Sequence, residues 1–139
     1  MAEPKTKPNA ASVDAFLEAI PDDQVRKDCA VLVDIMQKAA KAPPKMWGAG
    51  IVGFGTYRHQ YAGGREADNM LIAFAPRKAN ITLYINAGFE EYDELMSRFG
   101  KHGGSSKSCV HIKRLADVHL PTLRKVLALS VKQTRKTAP

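Results

Sequence analysis

The chain is poor in cysteine, in aromatic residues and in long apolar runs. Two cysteines, Cys29 and Cys109, occur in 139 residues. They are too few for a disulfide framework or a four-cysteine metal site, and such sparing use fits a reducing compartment. No apolar stretch approaches the roughly 20 residues of a membrane-crossing helix, and residues Met1 to Asn9 lack the apolar core of a secretory signal. No membrane partner is expected, and the cytoplasm is the expected location. Aromatic residues make up 7% of the chain and are not interleaved with the basic ones. That argues against nucleic acid, whose single strands are held by stacking among cations. Regular strand-helix alternation is also missing, which excludes a doubly wound α/β domain.

What is present is an ordinary globular composition, 45% hydrophobic and 25% charged, in a chain long enough to bury about two thirds of its unfolded surface. A single domain is expected over 12–131. A Pro- and Lys-rich disordered tail at 1–11 precedes it, and a frayed basic tail at 132–139 follows. Charge is unevenly spread. Residues 1–96 hold 11 basic and 13 acidic side chains, whereas residues 97–139 hold 10 basic and 1 acidic. The surplus is C-terminal, and such a segment attracts acidic groups. Part of it, Arg124, Lys125, Lys132, Arg135 and Lys136, also complements the dipole at the end of a last helix.

Ser12 is placed to cap a short helix carrying Val13, Phe16, Leu17 and Ile20. Pro21 opens a second, with Asp22 and Asp23 in its first turn and Val25, Cys29, Leu32, Val33 and Met36 as an apolar stripe, until Pro43 and Pro44 end it. Strands are expected over 51–57, 70–75 and 81–86, with turns around Gly63-Gly64 and across Pro76 to Asn80, so the pairing is antiparallel. A third helix over 90–99 buries Phe89, Tyr92, Leu95, Met96 and Phe99 and stops at Gly100. A strand over 108–113 and a helix from Pro121 with Leu123, Val126, Leu127 and Val131 on one face complete an α+β pattern, a two-layer domain with helices on one face of an antiparallel sheet.

Several segments act together as a signature: Met46-Trp47, Ile51 to Tyr57, Ala75-Pro76-Arg77-Lys78, Ile81 to Ile85, Gly100-Lys101-His102, Lys107 to Lys113 and Leu115 to Val118. In combination they resemble the YdhG-like domain family of unknown function, over about residues 12 to 130. The resemblance implies a two-layer fold similar to secretion-chaperone-like domains, and it supplies no catalytic mechanism. Some relatives are described as frataxin-like iron chaperones, a role that needs an acidic surface, whereas this chain is basic. His111 stands where the family often has Tyr, and Pro121 where it often has an acidic residue.

Gly48 to Gly53 spells GxGxxG, but a strand rather than a helix follows, so no amide-lined helix start awaits a dinucleotide, and no cofactor is expected. Gly100 to Ser108 is a basic glycine loop in which Lys101, His102, Gly103, Gly104 and Lys107 can cradle an anion, although the spacing of a phosphate-binding Walker loop is absent. Cys109 and His111 share one strand face. Neither a nucleophile-base pair with an orienting acid nor a compact metal spacing involving His102 or His119 is recognisable, so no catalytic or metal residue is assigned. Glu90, Glu91, Asp93 and Glu94 complement the third helix's dipole. By alternation Val110, Ile112, Ile81, Leu83, Ile85, Met70, Ile72 and Phe74 face the helices. Cys109, His111, Thr82, Tyr84, Leu71, Ala73 and Ala75 then form an uncovered face for a partner, a small anionic ligand or a second copy. The expected function is a non-enzymatic binding module. The alternatives are an iron or other metal carrier and a thiol-dependent enzyme using Cys109 and His111.

Overall fold

In the computed structural model the described residues are 11–48, 50–60, 63–64, 66–103 and 109–137, so the expected tail at 1–11 lies outside them except for Ala11. Helix α1 covers Val13–Glu18, and the Ser12 hydroxyl caps it by accepting from the Ala15 amide at 3.1 Å. Helix α2 covers Asp23–Ala40; Pro21 does not open it, and Asp22, expected in its first turn, is extended and caps it instead, its carboxylate accepting from the Val25 amide at 3.0 Å. These caps satisfy amides that have no partner within their own helices. At the other end of α2, Lys41 takes the left-handed conformation that closes a helix.

Five antiparallel strands follow: β1 (Pro44–Trp47), β2 (Ile51–Gln60), β3 (Glu66–Pro76), β4 (Ile81–Tyr84) and β5 (Cys109–Ile112). They form one sheet in chain order, β1-β2-β3-β4-β5. The α+β class and the antiparallel sheet are as expected, but β1 is an additional strand. Pro44 does end the helix region, and it also opens β1, an edge position where its missing N–H is tolerated. Both expected turns are present: Gln60 pairs with Glu66 around Gly63-Gly64, and the Arg77 amide donates to the Asn80 carbonyl at 2.7 Å. The GxGxxG segment is the β1–β2 hairpin, Trp47 pairing with Ile51, and β2 follows it as a strand.

Helix α3 (Tyr92–Ser97) lies between β4 and β5, and helix α4 runs from Leu120 to Thr137. The last helix therefore continues through Lys132 to Thr137 instead of fraying there. Buried Val131 and Thr134 keep its final turns against the body, and the Arg135 guanidinium donates to the Ala40 carbonyl at the end of α2. Val52, Phe54, Ile72, Phe74, Leu83, Val110 and Ile112 join Leu32 and Met36 of α2 and Leu123 and Leu127 of α4 in one buried cluster. The period-two alternation of the strands and the helical stripes meet there, and removing apolar area from water at about 25 cal/mol per Å² holds the layers together.

Polar anchors fix the connections. The Ser130 hydroxyl accepts from the Asn86 amide at 2.7 Å, and the Asn86 side chain donates to the Thr134 hydroxyl at 3.1 Å, tying the exit of β4 to α4. Asp28, buried on α2, accepts from the Gln24 side-chain amide at 2.8 Å and from the Leu115 backbone amide at 3.0 Å. It thereby pins the short 3-10 turn Leu115–Asp117 to the helix.

Candidate functional site

Gly100 begins the site. Its φ of +110° turns the chain out of α3 against the strand-like run before α4, where Gly100 bridges Val118. The Lys101 amide then donates to the Asp117 carbonyl at 3.1 Å, and the His119 amide donates to the Phe99 carbonyl at 2.8 Å. Carried along this track, Gly103 meets the outer edge of β5. Its amide donates to the His111 carbonyl at 2.7 Å, and the His111 amide donates back to the Gly103 carbonyl at 3.0 Å. The first part of the glycine loop is thus fastened to the sheet edge.

A cleft of about 760 Å³ results. Lys101, His102 and Gly103 form one wall, His111, Lys113 and Arg114 another, and Asn80 and Asp117 close it. Lys101, Lys113 and Arg114, three of the ten basic residues of 97–139, stand against the single carboxylate of Asp117. Among the described residues none of these four charges forms an ion pair within the chain. All three cations are exposed, and their fields add over the concave surface that they line.

The two imidazoles are oriented by their neighbours. His102 stands edge-on to Phe99, ring centroids 5.3 Å apart, and its Nδ1 lies 2.9 Å from the Gly100 carbonyl oxygen. A carbonyl only accepts, so that nitrogen carries a hydrogen. His111 sits beside Thr82 in the β4–β5 register, its Nδ1 3.0 Å from the Thr82 hydroxyl, which in turn donates to Asn80 Oδ1 at 3.3 Å.

The expected residues separate into two groups. Lys101, His102, Gly103 and His111 come together in the cleft; Gly104 and Lys107 lie outside the described residues. Tyr84 and Cys109 are cross-strand partners on the same face as Thr82 and His111, and both are half-buried, so neither Tyr84 nor His111 points beneath the helices. The wider uncovered face is not open, however. Ala73, Ala75 and Thr82 are buried at 4% exposure or less, and Leu71 joins the core cluster, whereas Met70, expected there, does not and lies beside Gly53 instead. Trp47 accounts for part of this: a Cβ on Gly53 would lie 2.5 Å from its indole Cδ1, so the ring rests directly on the glycine backbone next to Ala73. The Arg77 guanidinium donates to the Tyr84 hydroxyl at 3.0 Å. What remains accessible is the strip Tyr84, Cys109 and His111, leading into the cleft.

Lys113, Arg114, Asn80 and Asp117 were not singled out from the sequence. Lys113 and Arg114 carried a signal, two adjacent cations at the end of a strand beginning Cys109-Val110-His111. Asn80 and Asp117 carried none: the pairing of β4 with β5 brings Asn80 there, and the Lys101 amide on its carbonyl brings Asp117. Asp28 was also missed, although it interrupts the apolar stripe between Val25 and Leu32, where a charged residue needs buried partners.

The alternative chemistries find less in the geometry. The His111 Nδ1 is engaged by Thr82 rather than by the Cys109 thiol. Cys29 is fully buried on α2, and burial, reinforced by the adjacent Asp28 carboxylate, pushes its thiol up to about 12. Among the described residues no three His, Cys, Asp or Glu side chains gather to hold a metal ion, and Glu94 of the acidic quartet pairs with Arg98 at 3.4 Å. No described helix is long and apolar enough to cross a membrane. Comparisons of the chain with protein-family models, with curated proteins and with solved structures find no match.

Proposed function

We propose that the chain is a small non-enzymatic binding module that holds an anionic group in the cleft between the glycine loop and β5. One observation carries this: the reciprocal backbone hydrogen bonds between Gly103 and His111 bring Lys101 and His102 onto the same cavity as Lys113 and Arg114. The cavity volume, about 760 Å³, falls within the few hundred to 1,000 Å³ or so of small-molecule sites. The adjoining strip of Tyr84 and Cys109 offers apolar and hydrogen-bonding contact to the remainder of a ligand, or to the protein segment that presents the acidic group. Membership of the YdhG-like family and a cytoplasmic location form part of the same proposal. They are supported by a fold of the kind that resemblance implies and by two free cysteines.

The test is a titration with inorganic phosphate, followed by amide NMR. Gly103, His111 and Lys113 are expected to shift together and to saturate, and the double substitution Lys113→Glu, Arg114→Glu is expected to abolish the shifts while leaving the remaining spectrum folded. Unmoved amides in the wild-type chain, or undiminished binding in the double variant, would refute the site.

A further inference from the structure

The hydrogen-bond inventory of the cleft determines which nitrogen each imidazole offers to a ligand. The Thr82 hydroxyl has one hydrogen, donated to Asn80 Oδ1, so toward His111 it accepts, and His111 Nδ1 must donate. The Gly100 carbonyl imposes the same form on His102. Both neutral rings therefore have hydrogen on Nδ1 and a bare lone pair on Nε2, the one polar ring atom that remains for the cleft they line.

A lone pair facing an oxyanion is repulsive, whereas an N–H facing it is a charge-assisted hydrogen bond. Protonation converts each Nε2 from the first to the second without disturbing Nδ1, because Thr82 and Gly100 accept from either form of the ring. The groups facing these rings are Lys101 on the loop, Lys113 and Arg114 after β5, and Asp117 on the 3-10 turn, with Cys109 and Tyr84 beside His111 on the sheet. Lys101, Lys113, Arg114 and Asp117 supply the charges that surround the two imidazoles.

We propose that His102 and His111 form a proton-operated grip for a tetrahedral oxyanion, the phosphate or sulfate group of a ligand, closing as the rings protonate at Nε2. The proposal rests on the anion site described above and specifies its ligand chemistry and its regulation. Binding of the anion is coupled to proton uptake, so each favours the other to the same extent.

Inorganic sulfate is the probe for the coupling because its charge does not change between about pH 5.5 and about pH 8, whereas inorganic phosphate itself changes charge between them. Two measurements are made on the full chain. In the first, the imidazole nitrogens of the ligand-free protein are read by NMR near pH 8. Hydrogen on Nδ1 of both rings is expected, and Thr82→Val is expected to move His111 toward the ordinary Nε2–H form. An Nε2–H form of His111 or His102 in the wild-type chain overturns the proposal, whatever sulfate does. In the second, sulfate affinity is measured near pH 8 and near pH 5.5. About tenfold tighter binding at the lower pH is expected, the weight of roughly one charge-assisted hydrogen bond, with His102→Gln, His111→Gln binding weakly and equally at both. Sulfate bound equally well at both pH values by the wild-type chain overturns the grip and leaves the anion site standing. A pH dependence that survives in the double variant overturns it likewise. Failure to bind at either pH removes the anion site and the grip together.

Discussion

Gly100→Ala tests the construction of the site most directly. A β-carbon at this position would abut the Asp117 carbonyl oxygen, with the carbonyl carbon at 3.1 Å and Val118 Cα at 3.2 Å. These are backbone atoms, so no rotamer change relieves the overlap. The residue also holds φ at +110°, a region costing an L-residue about 1–2 kcal/mol. Relief requires the two backbone segments to separate, which weakens the Lys101–Asp117 and His119–Phe99 hydrogen bonds, each contributing about 1 kcal/mol net. A lower entropy of the unfolded alanine chain offsets a fraction of this. The expected destabilisation is about 3 kcal/mol, with a parallel loss of sulfate affinity because Lys101 and His102 lose their track. Gly103→Ala is the control. Among the described residues its β-carbon would meet His111 Cβ alone, at an ordinary 3.9 Å, and the expected change is under about 0.5 kcal/mol. Urea unfolding followed by the fluorescence of Trp47, the one tryptophan, measures both. Equal midpoints for the two variants, or Gly100→Ala within about 1 kcal/mol of wild type, would show that this close approach does not hold the loop.

Gly53→Ala forces the Trp47 indole off the sheet, since the new methyl would lie 2.5 Å from Cδ1 and 2.7 Å from Nε1; a red-shifted emission and a loss of about 2 kcal/mol are expected, and an unchanged spectrum refutes the placement. Asp28→Ala strips the Leu115 amide of its acceptor and is expected to lower stability by about 2–3 kcal/mol, while Asp28→Asn, which keeps an accepting oxygen, is expected to lose less than half of that in the same thermal unfolding assay. A thiol-specific chromogenic reagent is expected to react with one group in the native chain, half-buried Cys109, and with Cys29 only as the protein unfolds; two equally fast thiols contradict the buried stripe. Because Cys29 holds its proton to about 12 when folded against an ordinary value of 9.0, its contribution is fully present below pH 9 and is lost as pH rises from there toward 12. Denaturation midpoints over that range are therefore expected to fall less steeply in Cys29→Ala than in the wild-type chain.

The sequence by itself determined the features that depend on neighbours along the chain. The Ser12 cap, the apolar stripes of α2 and α4, the period-two strands, the two turns and the strand continuation after Gly48 to Gly53 all rest on spacings of a few residues, and local geometry settles such spacings. It also located the glycine loop and the shared face of Cys109 and His111. Tertiary structure decided what is brought together across longer separations. Pro44 opens an edge strand because β2 lies beside it, and Lys132 to Thr137 stays helical because Thr134 and Arg135 find partners on the β4 exit and α2. Ala73 and Ala75 are closed rather than open, and Trp47 on Gly53 accounts for part of that cover. Asn80, Lys113 and Arg114 meet the loop through the β4–β5 register and the Gly103–His111 bridge, and Asp117 meets it through the Lys101 hydrogen bond and the Gly100–Val118 bridge. Charge and hydropathy patterns report which residues could line a cleft, but the cleft itself is a product of strand pairing, which no short-range pattern encodes.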